Sequence, residues 1–313
     1  MRRGYSLLSG VLSVTALVIV LLAPLSLNRL RDELGRFELS AIKHALVIAR
    51  AHLSLQQVVR VLRCRNSSLP ASGYKHVRWA SRPTAGQWHC LKRGLCWRTV
   101  RVTGMFGDPM QVYEVHINPR VAALNVVYHH PQAVAEAGRV RHALVAINAC
   151  YFDQDRRPLG YLKIDGRVIN RGVASGAAFT GVFTLRGHKA RIVSRAAFDG
   201  HCVDTALQAG PRLIANGAPT RGLQETRSFR QSGVAVTRQG NIVLYVTGGS
   251  FVGLTWQQMQ AILAGPSSAG GIDARDVLNL DGGSSSQIYV RTGKGPGIAT
   301  GFPTRVPVIL TAH

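Results

Sequence analysis

Apolar and polar residues change their spacing several times along this chain, and each change predicts an element. From Ser6 to Leu27 no residue is charged, and Leu, Val and Ala dominate. About 20 such residues span a bilayer core, so residues 1–28 read as a transmembrane anchor. Met1-Arg2-Arg3 precedes the span and favours a cytoplasmic N-terminus. A cleaved signal peptide is the main alternative, although its apolar core is usually shorter and Ala23-Pro24-Leu25 is a poor small-x-small site. Between 29 and 64, Leu30, Leu34, Phe37, Ile42, Leu46 and Ala49 recur with charges between them. That spacing predicts an amphipathic stalk helix. Residues 65–313 form the remaining domain.

From Val100 onward the period shortens toward two. Tyr113, Val115 and Ile117 alternate with Glu114 and His116, the pattern of a half-buried strand. Val121–Tyr128 is a second strand. Pro131–His142 is helical in composition and leads into Ala143–Ile147, a fully apolar, buried strand. Three hairpins follow: Tyr161–Ile169 about Asp165-Gly166, Phe179–Val193 turning near Gly187, and Val234–Val246 turning at Gln239-Gly240-Asn241. One helix interrupts them, with Thr255 as its cap and Gln258 at capping-box spacing, ending before Gly265-Pro266. The expected fold is α+β, a mixed and largely antiparallel sheet with packed helices, preceded by the membrane helix.

Charge changes this picture in one respect. A formal net charge of +23 over 313 residues suits an acidic substrate or an acidic surface. The basic residues are scattered and no nucleic-acid motif is present, which argues against nucleic acid as the partner. Of the five cysteines, Cys90 and Cys96 are close enough for a small-loop disulfide, and Cys150 with Cys202 is a further conceivable pair. Disulfides agree with a domain outside the cytoplasm. The expected location is the inner (cytoplasmic) membrane, single-pass, with the bulk of the chain periplasmic. Trp79, Trp88 and Trp97 lie among these cysteines and are read as packing rather than sugar-stacking residues.

Chemistry concentrates in Asn279-Leu280-Asp281-Gly282-Gly283-Ser284-Ser285-Ser286-Gln287. The apolar run Asp276-Val277-Leu278 ends there in a carboxylate, two glycines and three hydroxyls, and a second strand, Gln287–Arg291, follows at once. Glycines allow close backbone approach, and successive N–H groups in such a turn form an anion nest. Two earlier strand ends carry similar polar exits. Asn148-Ala149-Cys150-Tyr151-Phe152-Asp153 closes the strand Ala143–Ile147, and Gly210-Pro211-Arg212-Leu213-Ile214 precedes Arg230-Gln231-Ser232-Gly233-Val234-Ala235. A planar guanidinium at Arg230, opening a strand, can bind phosphate through two parallel hydrogen bonds.

Taken in order over a core of residues 143–291, these motifs resemble the phosphodiester glycosidase family. Cys150 stands where that family has glycine, and Gln231-Ser232 where it has Thr-Ala. The resemblance implies hydrolysis of a sugar-1-phosphodiester. It implies Asp281 as nucleophile or base and Arg230 with the loop Gly282, Gly283, Ser284 and Ser285 as phosphate binders. Asn148 is then a sugar or phosphate contact, Asp153 a second carboxylate and Gly210 part of the substrate site. A phosphate leaving group, with a second pKa of about 6, needs little help from a general acid. No cofactor is implied, although Asp281, Asp153 and hydroxyls could together hold a divalent cation. No histidines have zinc spacing. The partner is a glycan or sugar phosphate, with the membrane engaged through residues 6–27. Two other readings compete: a non-catalytic module that binds exopolysaccharide or an envelope glycan, and a membrane-anchored scaffold.

Overall fold

A strand whose two faces are both apolar can feed two cores at once, because successive side chains point to opposite sides. The computed structural model describes residues 77, 81–103, 108–223, 228–249, 253–293 and 295–313. The chain divides into two units at Cys64–Arg65, and every described residue belongs to the second. The expected anchor and stalk, with Cys64 and Trp79, lie outside the described residues. Among the described residues no helix is long and apolar enough to cross a membrane.

In chain order the elements begin with β1 (Thr84–Ala85), β2 (His89–Lys92), β3 (Leu95–Thr103), β4 (Pro109–Ile117) and β5 (Leu124–Gln132). Helix α1 (Val134–Val140) precedes β6 (Val145–Asn148), β7 (Leu162–Ile164), β8 (Arg167–Asn170), β9 (Gly181–Arg186) and β10 (Lys189–Ser194). Next come β11 (Thr205–Ala209), β12 (Arg212–Ala215), β13 (Ala218–Pro219), β14 (Ser232–Thr237) and β15 (Ile242–Gly248). Helix α2 (Trp256–Leu263) is followed by β16 (Ala274–Asn279), β17 (Ile288–Val290), β18 (Ile298–Thr300) and β19 (Val306–Ala312).

These strands form three sheets. A nine-stranded sheet runs β1-β3-β4-β15-β14-β16-β12-β13, with β2 also on β3. Two five-stranded sheets run β10-β9-β11-β7-β8 and β18-β17-β6-β19-β5. Every pairing among the described strands is antiparallel. This corrects the expected mixed sheet: short turns can join only antiparallel neighbours, and the two α-helices among the described residues, of 7 and 8 residues, leave little material for crossovers.

The three hairpins form where expected. Asp165 and Gly166 both take positive φ, 48° and 81°, as a type I′ turn requires. Thr255 and Gln258 complete the capping box of α2.

One core is shared by all three sheets. From β14 and β15 it takes Val234, Val236, Ile242, Leu244 and Val246; from β9, Phe183; from β6 and β19, Val145, Ile147, Val308 and Leu310. The alternate residues Ala235, Val243 and Tyr245 face a second core against α2, with Met259 and Ile262. Likewise Ala146 and Ile309 turn outward to meet α1 at Val134 and Ala137. Gly233 stands opposite Tyr245 in the ladder. A Cβ there would lie 2.1 Å from the tyrosine ring, so this close approach requires glycine.

Two sequence expectations change. Cys90 and Cys96 are bonded across β2 and β3, but Cys150 is a buried free thiol and Cys202 an exposed one. Glu114, expected on the wet face of β4, is fully buried and paired with Arg98 at 2.7 Å. Arg98 also donates to the carbonyls of Ser267 and Gly271 and lies 4.4 Å from the Trp88 ring centroid. Burial pushes the Glu114 carboxyl up to about 7 although Arg98 pulls it down. Loops following α2 therefore cover what periodicity marks as a solvent face.

Removing one partner of such a pair leaves a buried charge. Arg98→Ala should cost about 3–5 kcal/mol in urea denaturation, and Glu114→Gln clearly less, because it removes the charge but keeps an acceptor for Arg98. Equal and small losses would contradict this reading of the pair.

Candidate active site

Three strand ends converge on one carboxylate. In the β14–β16 ladder Gly233 lies opposite Asn279, so the two chains run on together past the ends of their strands. The Leu280 N–H donates to the Ser232 carbonyl and the Gly283 N–H to the Arg230 carbonyl, both at 2.8 Å. Strand β6 approaches from another sheet and ends at Asn148. The Asn148 Nδ2 donates to the Asp281 carbonyl at 2.7 Å, and the Asp281 N–H donates to the Ala149 carbonyl at 3.0 Å. The Asn148 Oδ1 accepts from the Ser232 hydroxyl at 2.7 Å and the Gln287 N–H at 3.1 Å.

Asn148 is therefore a clamp. It is wholly buried, and its amide bonds are directed at protein groups on both sides. The direct substrate contact expected of it is not what this geometry provides; it fixes the backbone that carries Asp281.

The loop after Asp281 also differs from expectation. Residues Gly283–Ser285 form a 3-10 turn, with Gly283 at φ 60°. The Ser285 N–H donates to the Gly282 carbonyl, and the Ser286 N–H to the Gly283 carbonyl. The Gly282 N–H and the Ser285 hydroxyl bond the Asp281 carboxylate. The expected anion nest is thus largely engaged within the loop and serves Asp281. Ser284 is exposed, whereas Ser285 and Ser286 are buried. A Cβ on Gly282 would sit 2.8 Å from the Arg230 carbonyl oxygen, which is why the strand continuation needs glycine there.

Burial pushes the Asp281 carboxyl up from an ordinary 3.8 to about 6, against the lowering bonds from Ser285 and Gly282. The same burial, with the nearby Asp281 charge, pushes the Cys150 thiol up to about 12 and raises the Tyr151 phenol. Cys150 stays a thiol at neutral pH and is not a nucleophile. Tyr151 stays protonated and donates to the Gly210 carbonyl at 2.8 Å. Gly210 thereby joins the site through Tyr151.

Arg230 is 7% exposed. Its Nη2 donates to the Ser286 carbonyl at 2.6 Å, its guanidinium lies 5.1 Å from the Phe302 ring centroid, and its Nε has no partner. Among the described residues no carboxylate pairs with it. A cation ahead of β14 and a carboxylate beyond β16 thus stand on adjoining segments without forming an ion pair. The Asp153 carboxylate accepts from the Arg157 N–H, and its backbone closes the same turn. No group of three or more His, Cys, Asp or Glu side chains gathers among the described residues in a way that could hold a metal.

Residues 141–310 match the family of phosphodiester glycosidases. The chain belongs to the phosphodiester glycosidase family. The fold agrees. The catalytic domain of zebrafish N-acetylglucosamine-1-phosphodiester alpha-N-acetylglucosaminidase, auto-inhibited by its pro-peptide, superposes with a TM-score of 0.55 at 17% identity, over 74% of this chain and 87% of that one. A hypothetical protein from Synechocystis gives 0.50 at 17% identity, over 74% and 64%. No curated protein is similar enough in sequence to count as a match.

Both residues of the Gln231-Ser232 departure are built into the structure. Ser232 bonds Asn148, and the Gln231 Nε2 donates to the Leu254 carbonyl at 2.6 Å. Sequence reasoning missed Tyr151 as a polar member, Gln287, and the segment Gly301–Thr304. Gln287 donates to the Thr304 carbonyl at 2.8 Å and accepts from the Val134 N–H. A Cβ on Gly301 would lie 2.9 Å from Arg230 Nη2, so that segment closes directly over the guanidinium. Gly301-Phe302-Pro303 carried a turn signal that could have drawn attention to it.

Asn148→Ala should lower stability by about 2–4 kcal/mol, since it leaves the Ser232 hydroxyl and the Gln287 N–H without their acceptor. Asn148→Asp, nearly the same size, should also destabilise, because a carboxylate cannot donate to the Asp281 carbonyl. Denaturation midpoints measure both, and an unchanged midpoint for Asn148→Asp would remove the clamp from this account.

Proposed function

We propose that the chain hydrolyses a sugar-1-phosphodiester, with Asp281 as nucleophile or base and Arg230 binding the phosphate. One observation carries the reading: the half-buried carboxylate of Asp281 and the buried guanidinium of Arg230, which no carboxylate neutralises, stand on adjoining segments joined by the Gly283 N–H and the Arg230 carbonyl. As nucleophile, a carboxylate oxygen would attack the anomeric carbon while the bond from that carbon to the phosphate oxygen breaks. The electron pair leaves with the phosphate, and water then hydrolyses the glycosyl ester. As base, Asp281 would instead take a proton from the attacking water.

A phosphate oxygen would complete the bonding of the Arg230 guanidinium, whose Nε is otherwise orphaned. Charge gathers on that phosphate as the bond breaks, so a fixed cation in a dry site stabilises the transition state more than the substrate. No second carboxylate contributes to the shift of Asp281. A single carboxylate suffices where the leaving group is a phosphate monoester, itself a weak base. Asn148 and Tyr151 act as positioning residues, and the loop Gly282–Ser285 orients Asp281. The site would serve an envelope glycan, with the domain anchored through residues 6–27.

The chemistry requires ionised Asp281. On a panel of sugar-1-phosphodiesters, release of reducing sugar should therefore rise with pH through about 6 and level off above it. Asp281→Asn should lose turnover by roughly a thousandfold yet stay folded. The sign of its stability effect is fixed as well. The folded-state value lies above the unfolded one, so the native carboxyl loses stability as pH rises from 3.8 toward 6. Above that window the asparagine variant should be at least as stable as the parent. Equal turnover by parent and Asp281→Asn would overturn the assignment. Glycan binding without turnover by the parent would identify a binding module instead.

A further inference from the structure

A second feature lies near the start of β16, where β10 of a five-stranded sheet approaches it. A cavity of about 600 Å³ is lined by the cations Arg120, Lys189, Arg191 and Arg275 together with His188, and by no carboxylate. An adjoining cavity of about 750 Å³ shares His188, Lys189 and Arg191, adds Arg186, and contains one acid, Asp199. The two make one trough along the outer face of β10. Arg275 is the second residue of β16 and Asp281 follows the strand's end, six residues on, which at about 3.3 Å per residue places the trough some 20 Å from the candidate catalytic carboxylate.

The strand pattern produces this trough. In β10 the residues Ala190 and Ile192 are buried while Lys189 and Arg191 are exposed. In the ladder with β9, Lys189 stands opposite Arg186 and Arg191 opposite Thr184. Like charges directly opposite one another destabilise a sheet, and nothing offsets them: among the described residues Arg120, Arg186, Lys189 and Arg191 enter no ion pair. Only Arg275 has a carboxylate partner, Asp276 at 2.9 Å. His188 Nδ1 lies 2.7 Å from the Pro119 carbonyl oxygen, tying the β9–β10 turn to the opposite wall.

We propose that this trough is a second binding site, for an anionic polysaccharide that carries carboxylates or phosphates along its chain. Four unpaired cations lining one trough answer repeated negative charge rather than a single ion. The amide side chains of Asn118 and Asn241, which line the same cavity, offer hydrogen bonds to the hydroxyls between those charges. The trough carries one phenyl ring, Phe198, besides the His188 imidazole, too few to stack successive bases along a strand, and this favours a glycan over single-stranded nucleic acid. The site would hold polymer at a distance from Asp281, and the inference does not depend on the chemistry at that residue.

The test uses the full chain in neutral detergent with four probes. These are oligogalacturonate, a neutral dextran oligosaccharide of equal length, a single-stranded oligonucleotide and phosphatidylglycerol vesicles. Oligogalacturonate should bind best, and added salt should weaken it. Lys189→Glu combined with Arg191→Glu should weaken it by about tenfold or more, while Asp281→Asn binds like the parent. Should the charge-reversed protein not fold, as judged by its thermal midpoint, the pair Lys189→Gln and Arg191→Gln must show the same direction. Unchanged affinity in the folded variant, or stronger binding of the oligonucleotide or the vesicles than of oligogalacturonate, would overturn the proposal.

Discussion

The architecture turns on the Asn148 side chain. Its amide joins the end of β6 in one five-stranded sheet to the main chain of Asp281 beyond β16 in the nine-stranded sheet. The partners lie 133 residues apart in sequence. With Ser232 and Gln287 on its oxygen, Asn148 stitches three chain segments where the sheets diverge from their common core. Burial removes water as an alternative partner, so each of these bonds must be made by protein or lost at a cost. Polar groups that can be satisfied in only one arrangement specify that arrangement. The catalytic geometry inferred for Asp281 follows from this stitch and not from the loop alone.

The same burial that stabilises the stitch perturbs the carboxylate. Asp281 sits where desolvation outweighs two hydrogen bonds to its charged form. Arg230, whose carbonyl accepts from the Gly283 N–H, carries a charge that burial likewise opposes. The protein holds both charges in low-dielectric surroundings without letting them pair. Such an arrangement is costly in the free protein and becomes favourable when a phosphate bridges to the guanidinium. Cys150 adds a small neutral group near the carboxylate and raises no competing nucleophile.

Much of this was legible because local rules govern it. The type I′ turn at Asp165-Gly166, the capping box at Thr255 and Gln258, and the apolar strand ending at Asn148 each follow from residue type and spacing. The Asp281 motif was equally plain, since two glycines and three hydroxyls at a strand's end have few other uses. What escaped were consequences of tertiary cover. Periodicity placed Glu114 in water because a strand's pattern carries no record of the loops that later fold over it. Asn148 read as a ligand contact because sequence does not reveal that Ser232 and Gln287 would saturate it. The nest at Gly282–Ser285 read as open for the same reason: its N–H groups find partners in Arg230 and in the loop itself. Phe302 and Gly301, beyond the recognisable motifs, reach Arg230 only through the path of β17 and β18.

The most direct measurement is the ionisation of Asp281 itself, followed by carbon-detected NMR titration of the aspartate side-chain carboxyls and assigned with Asp281→Asn. This account predicts a midpoint near 6, well above the ordinary range, for the resonance that the substitution removes. A midpoint near 4 would mean that Asp281 is solvated like a surface carboxylate. The clamped, desolvated site on which the proposed chemistry depends would then not exist.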